Sequence, residues 1–249
     1  MTLRICSYNI HKGFSQFNRR MVVHELRERL RSLDADLVFL QEVQGLHLGH
    51  PVRHPDWPLQ PQHEFLAEDA WQQTAYGGNA VYDHGHHGNA ILSRHLILST
   101  ANQDVSDHRF ERRGLLHCEV ELPAFERPVH CVCVHLGLMA GSRRRQMMAL
   151  AERMEQLAPD DAPLIIAGDF NDWRNHADDL LGRRLGLTEA FGSGRGRPAR
   201  SFPSALPFFR LDRIYVRGFR VRQAQVHYGA PWARISDHAA LTADLEPVS

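Results

Sequence analysis

Residues 115–136 read LLHCEVELPAFERPVHCVCVHL. Leu115–Leu122 and Val129–Leu136 are apolar runs of strand length, and no convincing helical pattern separates them. Parallel strands need a crossover of a dozen or more residues, so two strands joined this directly pair antiparallel. Outward from here the pattern changes. On the N-terminal side a strand at Leu3–Ile10 leads into a helical segment, Arg19–Leu33, with Val22, Leu26, Leu30 and Leu33 on one face. A short buried strand follows at Leu37–Leu40. Residues 44–88 are rich in Pro, His and Gly and read as long loops around one helix near Phe65–Trp71, with a strand at Ala90–Leu92 beyond them. On the C-terminal side Ser142–Leu157 is a helix with Met147, Leu150, Ala151, Met154 and Leu157 on one stripe, and Leu164–Ala167 is a buried strand. A short helix at Asp178–Leu185 and a long loop at Gly192–Phe209 come next. Three closing strands span Leu211–Val216, Val221–His227 and Ala240–Leu245. Strands alternate with helices at first and then follow one another, which predicts an α/β fold with mixed sheets rather than a purely parallel doubly wound one. No repeat or linker divides the chain, so residues 1–249 are expected to form a single domain.

Composition narrows the function. The 29 basic residues balance 29 acidic ones, which argues against a surface that grips any nucleic acid by its phosphates. Cys6, Cys118, Cys131 and Cys133 lie in apolar runs without zinc-type spacing. Cys131 and Cys133, two apart in a strand, face the same way and do not bridge. Reduced, buried thiols suit the cytoplasm. The start, MTLRICSYNIHKG, holds no apolar stretch long enough for a signal peptide, and no transmembrane run is present, so a cytoplasmic protein is expected.

Chemistry-bearing residues recur where apolar strands end: Asn9, Glu42, His135, Asp169 with Asn171, and Asp212, with Asp237 and His238 just before the last strand. One such residue is ordinarily a cap or a solvated strand end, and Asp169 with Asn171 could form no more than an Asx turn. So many, mixing carboxylates, amides and imidazoles, are harder to explain that way. A hard divalent cation takes oxygen ligands such as Glu42 and Asn9. Hydrolysis of a phosphate ester also needs an oriented water, which Asp169 and Asn171 could hold. It needs charge stabilisation too, from a histidine such as His238 that a carboxylate, Asp212 or Asp237, keeps cationic and aimed.

The ordered set SYNIHKG, LQEV, GNAILS, VHLGL, AGDFND, LDRIYV and SDHAAL, spanning Ser7 to Leu241, resembles the endonuclease/exonuclease/phosphatase superfamily. That group includes deoxyribonuclease I-like nucleases, abasic-site nucleases, neutral sphingomyelinases and inositol-phosphate 5-phosphatases. The resemblance implies a four-layer α/β/β/α sandwich, with two mixed β-sheets face to face and helices outside. It also implies a Mg2+ or Mn2+ cofactor. Asn9 and Glu42 would contact the metal, with Asp237 supporting it or the histidine; His135 would bond the scissile phosphate. Asp169 would polarise the attacking water, Asn171 would position it, and Asp212 would orient His238.

Lys12, the one lysine, and Arg113 in RRGLL are further candidates for substrate contact. His84, His86 and His87 cluster in a Gly-rich stretch where solvated histidines are the simpler reading, with His87 the one placed to line a site. The segment Arg183–Arg222 is cationic and carries Phe202, Phe208 and Phe209. It would suit anionic substrates, or it is a solvated basic loop whose phenylalanines pack inward. The expected partner is a phosphate-ester substrate, with nucleic acid the leading class and a phospholipid, a small phosphodiester or an inositol phosphate the alternatives. A catalytically inactive binding scaffold is the reading from another class, and no obligate protein partner is evident. A long groove flanked by arginines would suit a polymer; a closed pocket would suit a small ester.

Overall fold

The structure, a computed structural model, describes residues 2–108, 111–192 and 199–248. Two strand–helix–strand units organise it. In the first, β1 (Leu3–Asn9) passes through α1 (Val23–Ser32) to β2 (Leu37–His47), which lies parallel to β1. In the second, β7 (Val129–His135) passes through α4 (Ala140–Leu157) to β8 (Leu164–Asp169), again parallel. Between them come the short helices α2 (His50–Arg53) and α3 (Gln62–Ala67). The strands β3 (Gln73–Tyr82), β4 (Gly85–Ser93), β5 (Ile97–Asp104) and β6 (Gly114–Val120) follow α3. After β8 a π-helical stretch at Asp178–Gly182 runs into α5 (Arg183–Leu185), where the sequence expects a short helix, and leads to β9 (Thr188–Glu189), β10 (Asp212–Arg217), β11 (Phe219–His227) and β12 (Ala240–Pro247). All pairings other than β1–β2 and β7–β8 are antiparallel. The result is two six-stranded mixed sheets, β11-β12-β1-β2-β4-β3 and β5-β6-β7-β8-β10-β9. The antiparallel pairing of β6 with β7 is the one read from residues 115–136.

Alternation along the strands builds the layers. Leu3, Ile5, Leu37, Phe39 and Ile91 from one sheet meet Cys118, Cys131, Cys133, Ile165 and Ile214 from the other in a shared core. The intervening residues face the helices. Cys6, Tyr8, Val38 and Leu40 pack on Val23, Leu26 and Leu30 of α1, and Val132, Val134 and Ile166 pack on Met147, Leu150 and Met154 of α4. Cys131 and Cys133 thus face one way, and all four cysteines are buried and free. No helix among the described residues is long and apolar enough to cross a membrane.

Residues 44–88 are not the long loops their composition suggested. β2 runs on to His47, and β3 and β4 form a hairpin whose turn is Asp83–His84. The glycines hid it: Gly88 lies so close to β3 that a Cβ there would stand 1.8 Å from the Gly77 carbonyl oxygen, so the residue serves cross-strand contact rather than a loop. The helix here is Gln62–Ala67, earlier than Phe65–Trp71. β5 was also missed, because this edge strand, ILSTANQD, is polar and largely exposed. α1 starts at Val23 rather than Arg19, after two 3-10 turns at His11–Gly13 and Gln16–Asn18.

Candidate active site

Sheet register brings the chemistry together. Parallel pairing sets His135 of β7 opposite Asp169 of β8, and antiparallel pairing sets Asp212 of β10 opposite Asp169. Three neighbouring strand ends therefore present an imidazole and two carboxylates side by side. His238 arrives from the turn before β12. Its Nδ1 lies 2.8 Å from Asp212 Oδ2, and its Nε2 3.8 Å from Asp169 Oδ2. That turn is tied down by Ser236, whose Oγ donates to the Asn9 carbonyl at 2.7 Å and accepts from the His238 N–H at 3.2 Å.

The other sheet supplies Asn9 and Glu42. β2 loses register with β4 between Leu40 and Val43, and within this bulge Glu42 takes a left-handed φ of 55°. A non-glycine residue held there is a strained feature of the kind that collects at functional sites. Its Oε1 accepts from Asn9 Nδ2 at 3.3 Å, and Asp169 Oδ2 accepts from the same nitrogen at 3.1 Å. The Asn9 amide thus bridges carboxylates from two sheets. Asn171, also left-handed at φ 49°, donates its backbone N–H to Asp169 Oδ1 at 2.9 Å and its side-chain amide to the Leu136 carbonyl at 2.9 Å.

Burial and charge set the protonation states. Burial pushes Asp169 up to about 6, helped by Asp212 and opposed by His238. Burial alone would discharge His238, but Asp212 and Asp169 overcome it and raise its pKa to about 10. His135 goes the other way: burial, aided by the charge of Arg113, holds it well below the usual histidine range, so it is neutral at pH 7. Burial also works against the Glu42 carboxylate, yet the imidazole of His135, Lys12 and the imidazoles of His11 and His238 bring it down to about 2.

The remaining sequence candidates divide. Arg113 lines the same cleft as Glu42, His135 and Asp169, but as a brace: its guanidinium donates to the Leu136 and Arg112 carbonyls, each at 3.1 Å, and to Glu111 Oε1 at 3.1 Å. Lys12 Nζ stands 3.9 Å from Glu42 Oε2. His87 lines an adjoining hollow with Arg113, and burial lowers it to about 4. Asp237 faces His11, with 3.4 Å between Oδ1 and Nδ1, and reaches the site through its charge on His238. His86 bonds the Tyr76 hydroxyl at 2.9 Å, on the β3–β4 hairpin. In the 183–222 segment, Arg195 and Arg197 lie outside the described residues. Arg184 pairs with Glu155 and Arg222 with Glu246, while Arg213 bonds the Asp172 carbonyl and Asn175 Oδ1. Its phenylalanines split between the two readings. Phe202 is half-buried with its ring 5.1 Å from His238, whereas Phe208 and Phe209 are exposed.

Sequence reasoning missed Glu111, which holds Arg113, and the apolar wall of Leu138, Trp173 and Leu211. Trp173 and Leu211 flank the strand-end aspartates in sequence, which was the available signal.

A family model for the endonuclease/exonuclease/phosphatase family matches residues 6–238. The chain belongs to this family. Members of the family are hydrolases of phosphate esters and are generally dependent on a divalent metal. The chain is 46% identical over 244 residues, 98% of its length and 96% of the relative's, to the uncharacterized protein YbhP of Escherichia coli K12. Its fold matches that of an endonuclease/exonuclease/phosphatase from Bacteroides vulgatus, with a TM-score of 0.76 at 15% identity and 100% of both chains covered. It also matches a mannosyl-6-phosphatase of Bacteroides thetaiotaomicron, with a TM-score of 0.74 at 17% identity, covering 98% of this chain and 99% of that one. The four-layer sandwich is the deoxyribonuclease I-like fold.

The donor set fits the divalent ion on which family members generally depend. Glu42 is ionised at neutral pH, and with Asp169 it supplies carboxylate oxygens of the hard kind such ions prefer, while Asn9 turns its amide nitrogen to both carboxylates and its Oδ1 to the His11 N–H. Asp169, Asp212 and His238 also offer atoms within 4.8 Å of one another. That trio suits a cation less well, because His238 is protonated and its Nδ1 is engaged by Asp212.

Proposed function

We propose that this protein is a Mg2+- or Mn2+-dependent phosphoesterase that breaks the P–O bond of its substrate by attack of water. The observation that carries this reading is the side-by-side placement of His135, Asp169 and Asp212, with His238 held on Asp212 at 2.8 Å. Asp169, raised to about 6, is ionised at neutral pH yet basic enough to take the proton of the attacking water. Asn171 holds that carboxylate through its N–H and helps to fix the water. His238, cationic because of Asp212, faces its Nε2–H toward the developing charge on the phosphoryl oxygens, and neutral His135 donates a second hydrogen bond there. Glu42 and Asn9 would hold the metal, with Asp237 acting from behind through His238 and Lys12 near the phosphate. When bound, the ion supplies Lewis-acid polarisation of the phosphoryl oxygen and neutralises charge on the leaving alkoxide. The four buried, free thiols support action in the cytoplasm.

Asp169→Asn and His238→Gln are the decisive variants. Each is expected to keep the parent's circular dichroism at the assay temperature, with His238→Gln melting lower because buried Asp212 loses its partner, while losing about 10²-fold or more in kcat/KM on a phosphodiester. EDTA abolishes turnover, and Mg2+ or Mn2+ restores it. Near-parental turnover by Asp169→Asn would remove the proposed base.

A further inference from the structure

Resting on the phosphoesterase reading, we infer that the cleft takes a phosphodiester with one apolar ester arm, rather than the nucleic acid that the sequence placed first. The cleft is an open hollow of about 520 Å³. Trp173, Phe202, Phe209, Leu211 and Leu138 line it beside Glu42, His135, Asp169 and His238. Three strand ends contribute this wall: Leu211 directly precedes Asp212, Trp173 follows Asn171 by two residues, and Leu138 follows His135 by three. Phe202 and Phe209 come from a small bridge in which each backbone faces the other. Trp173 is 45% exposed, Phe209 42% and Leu138 56%. Apolar surface left in water at the mouth of a catalytic cleft is a recognition surface for something apolar.

The wall is also preorganised. The guanidinium of buried Arg143 sits 4.9 Å from the Trp173 ring centroid, and the same group donates to the Gly137 and Leu138 carbonyls at 3.0 and 2.8 Å. A polymer's phosphates need a different lining. Cations must meet successive phosphates, and binding to them is the largest sequence-independent contribution to nucleic-acid affinity. Among the described residues, Arg113 is the one guanidinium lining this cleft, and all three of its nitrogens donate to protein oxygens. Arg143 and Arg213, just behind the wall, are buried and likewise engaged with protein oxygens. The cleft therefore holds one reacting phosphoryl group beside hydrocarbon.

The test compares methyl phosphodiesters whose second ester arm is methyl, octyl, benzyl or thymidin-5′-yl, alcohols of similar leaving ability. Each is assayed with Mg2+ or Mn2+ by 31P NMR of the monoester product. The octyl or benzyl ester should exceed the methyl ester by about 10-fold in kcat/KM, and thymidinyl should fall below both. Octyl ahead of benzyl points to an aliphatic source such as a lipid; benzyl ahead points to an aromatic one. Phe209→Ser should collapse the apolar-to-methyl ratio toward one. Calorimetry with octyl phosphate and methyl phosphate reads the wall without turnover and should favour octyl by about the same factor. Turnover with no apolar preference, or with thymidinyl best, overturns the inference and leaves the phosphoesterase standing. Tight octyl binding with no ester hydrolysed keeps the apolar wall and removes the hydrolase. Neither binding preference nor turnover removes both.

Discussion

His238 owes its proton to its neighbours. Buried as it is, the imidazole would be neutral without Asp212 at 2.8 Å and Asp169 at 3.8 Å. Its folded pKa, about 10, lies above the ordinary 6.5. The pair's contribution is therefore complete below about 6.5 and is lost as pH rises through about 10. Asp212→Asn removes the larger of the two charges. The alkaline limb of the kcat/KM profile should then move down by more than one pH unit, with His238 titration followed in parallel by NMR. An unmoved limb would separate Asp212 from the histidine's charge. Arg113 shows the limit of residue-level reading. As a sequence it is a free guanidinium. In the fold it shares the Leu136 carbonyl with Asn171, whose amide reaches the same oxygen at 2.9 Å. Arg113→Lys keeps the charge but loses the fork. We expect kcat to fall about 10-fold with KM little changed, the signature of lost positioning rather than lost phosphate binding. A rise in KM alone would restore Arg113 as a substrate contact.

At the scale of elements, the two crossover units were legible because their helices carry clean apolar stripes, Val23, Leu26 and Leu30 in α1 and Met147, Leu150 and Met154 in α4. Strand ends were legible for the same reason: Asp169 and His135 close uninterrupted apolar runs. Register was not, since which strand-end residues stand opposite one another depends on pairings between strands distant in sequence. The β3–β4 hairpin was lost to its glycines, and β5 to its solvent-facing polarity. Gly88 gives this a measurable form. Gly88→Ala places a methyl 1.8 Å from the Gly77 oxygen, so backbone must move. The expected cost is about 2 kcal/mol or more in denaturant unfolding. Activity should fall with it, because β4 pairs with β2 on the far side of the bulge that presents Glu42. An unchanged midpoint would mean the hairpin can spread at no cost.

The whole molecule carries an acid sensitivity that no single site explains. His50, His63, His87 and His117 are each lowered by burial to about 4. Unfolded histidines titrate near 6.5, so the unfolded chain binds more protons in the interval between. Stability is full above about 6.5 and is lost as pH falls through about 4. Asp169, raised to about 6, offsets part of this because its protonation on acidification relieves a buried charge. The chemical-denaturation midpoint should drop between pH 7 and pH 5 with an unchanged slope, and a flat midpoint would contradict these burials. The paired sheets also seal off the sulfur chemistry. Burial moves Cys118 to about 11 and Cys133 to about 12, and pushes Cys6 and Cys131 upward as well. Thiolate, the species that reacts with alkylating reagents, is thus almost absent while the layers stay closed. Iodoacetamide uptake would then clock how often the sandwich comes apart, with the four native thiols as the reporters.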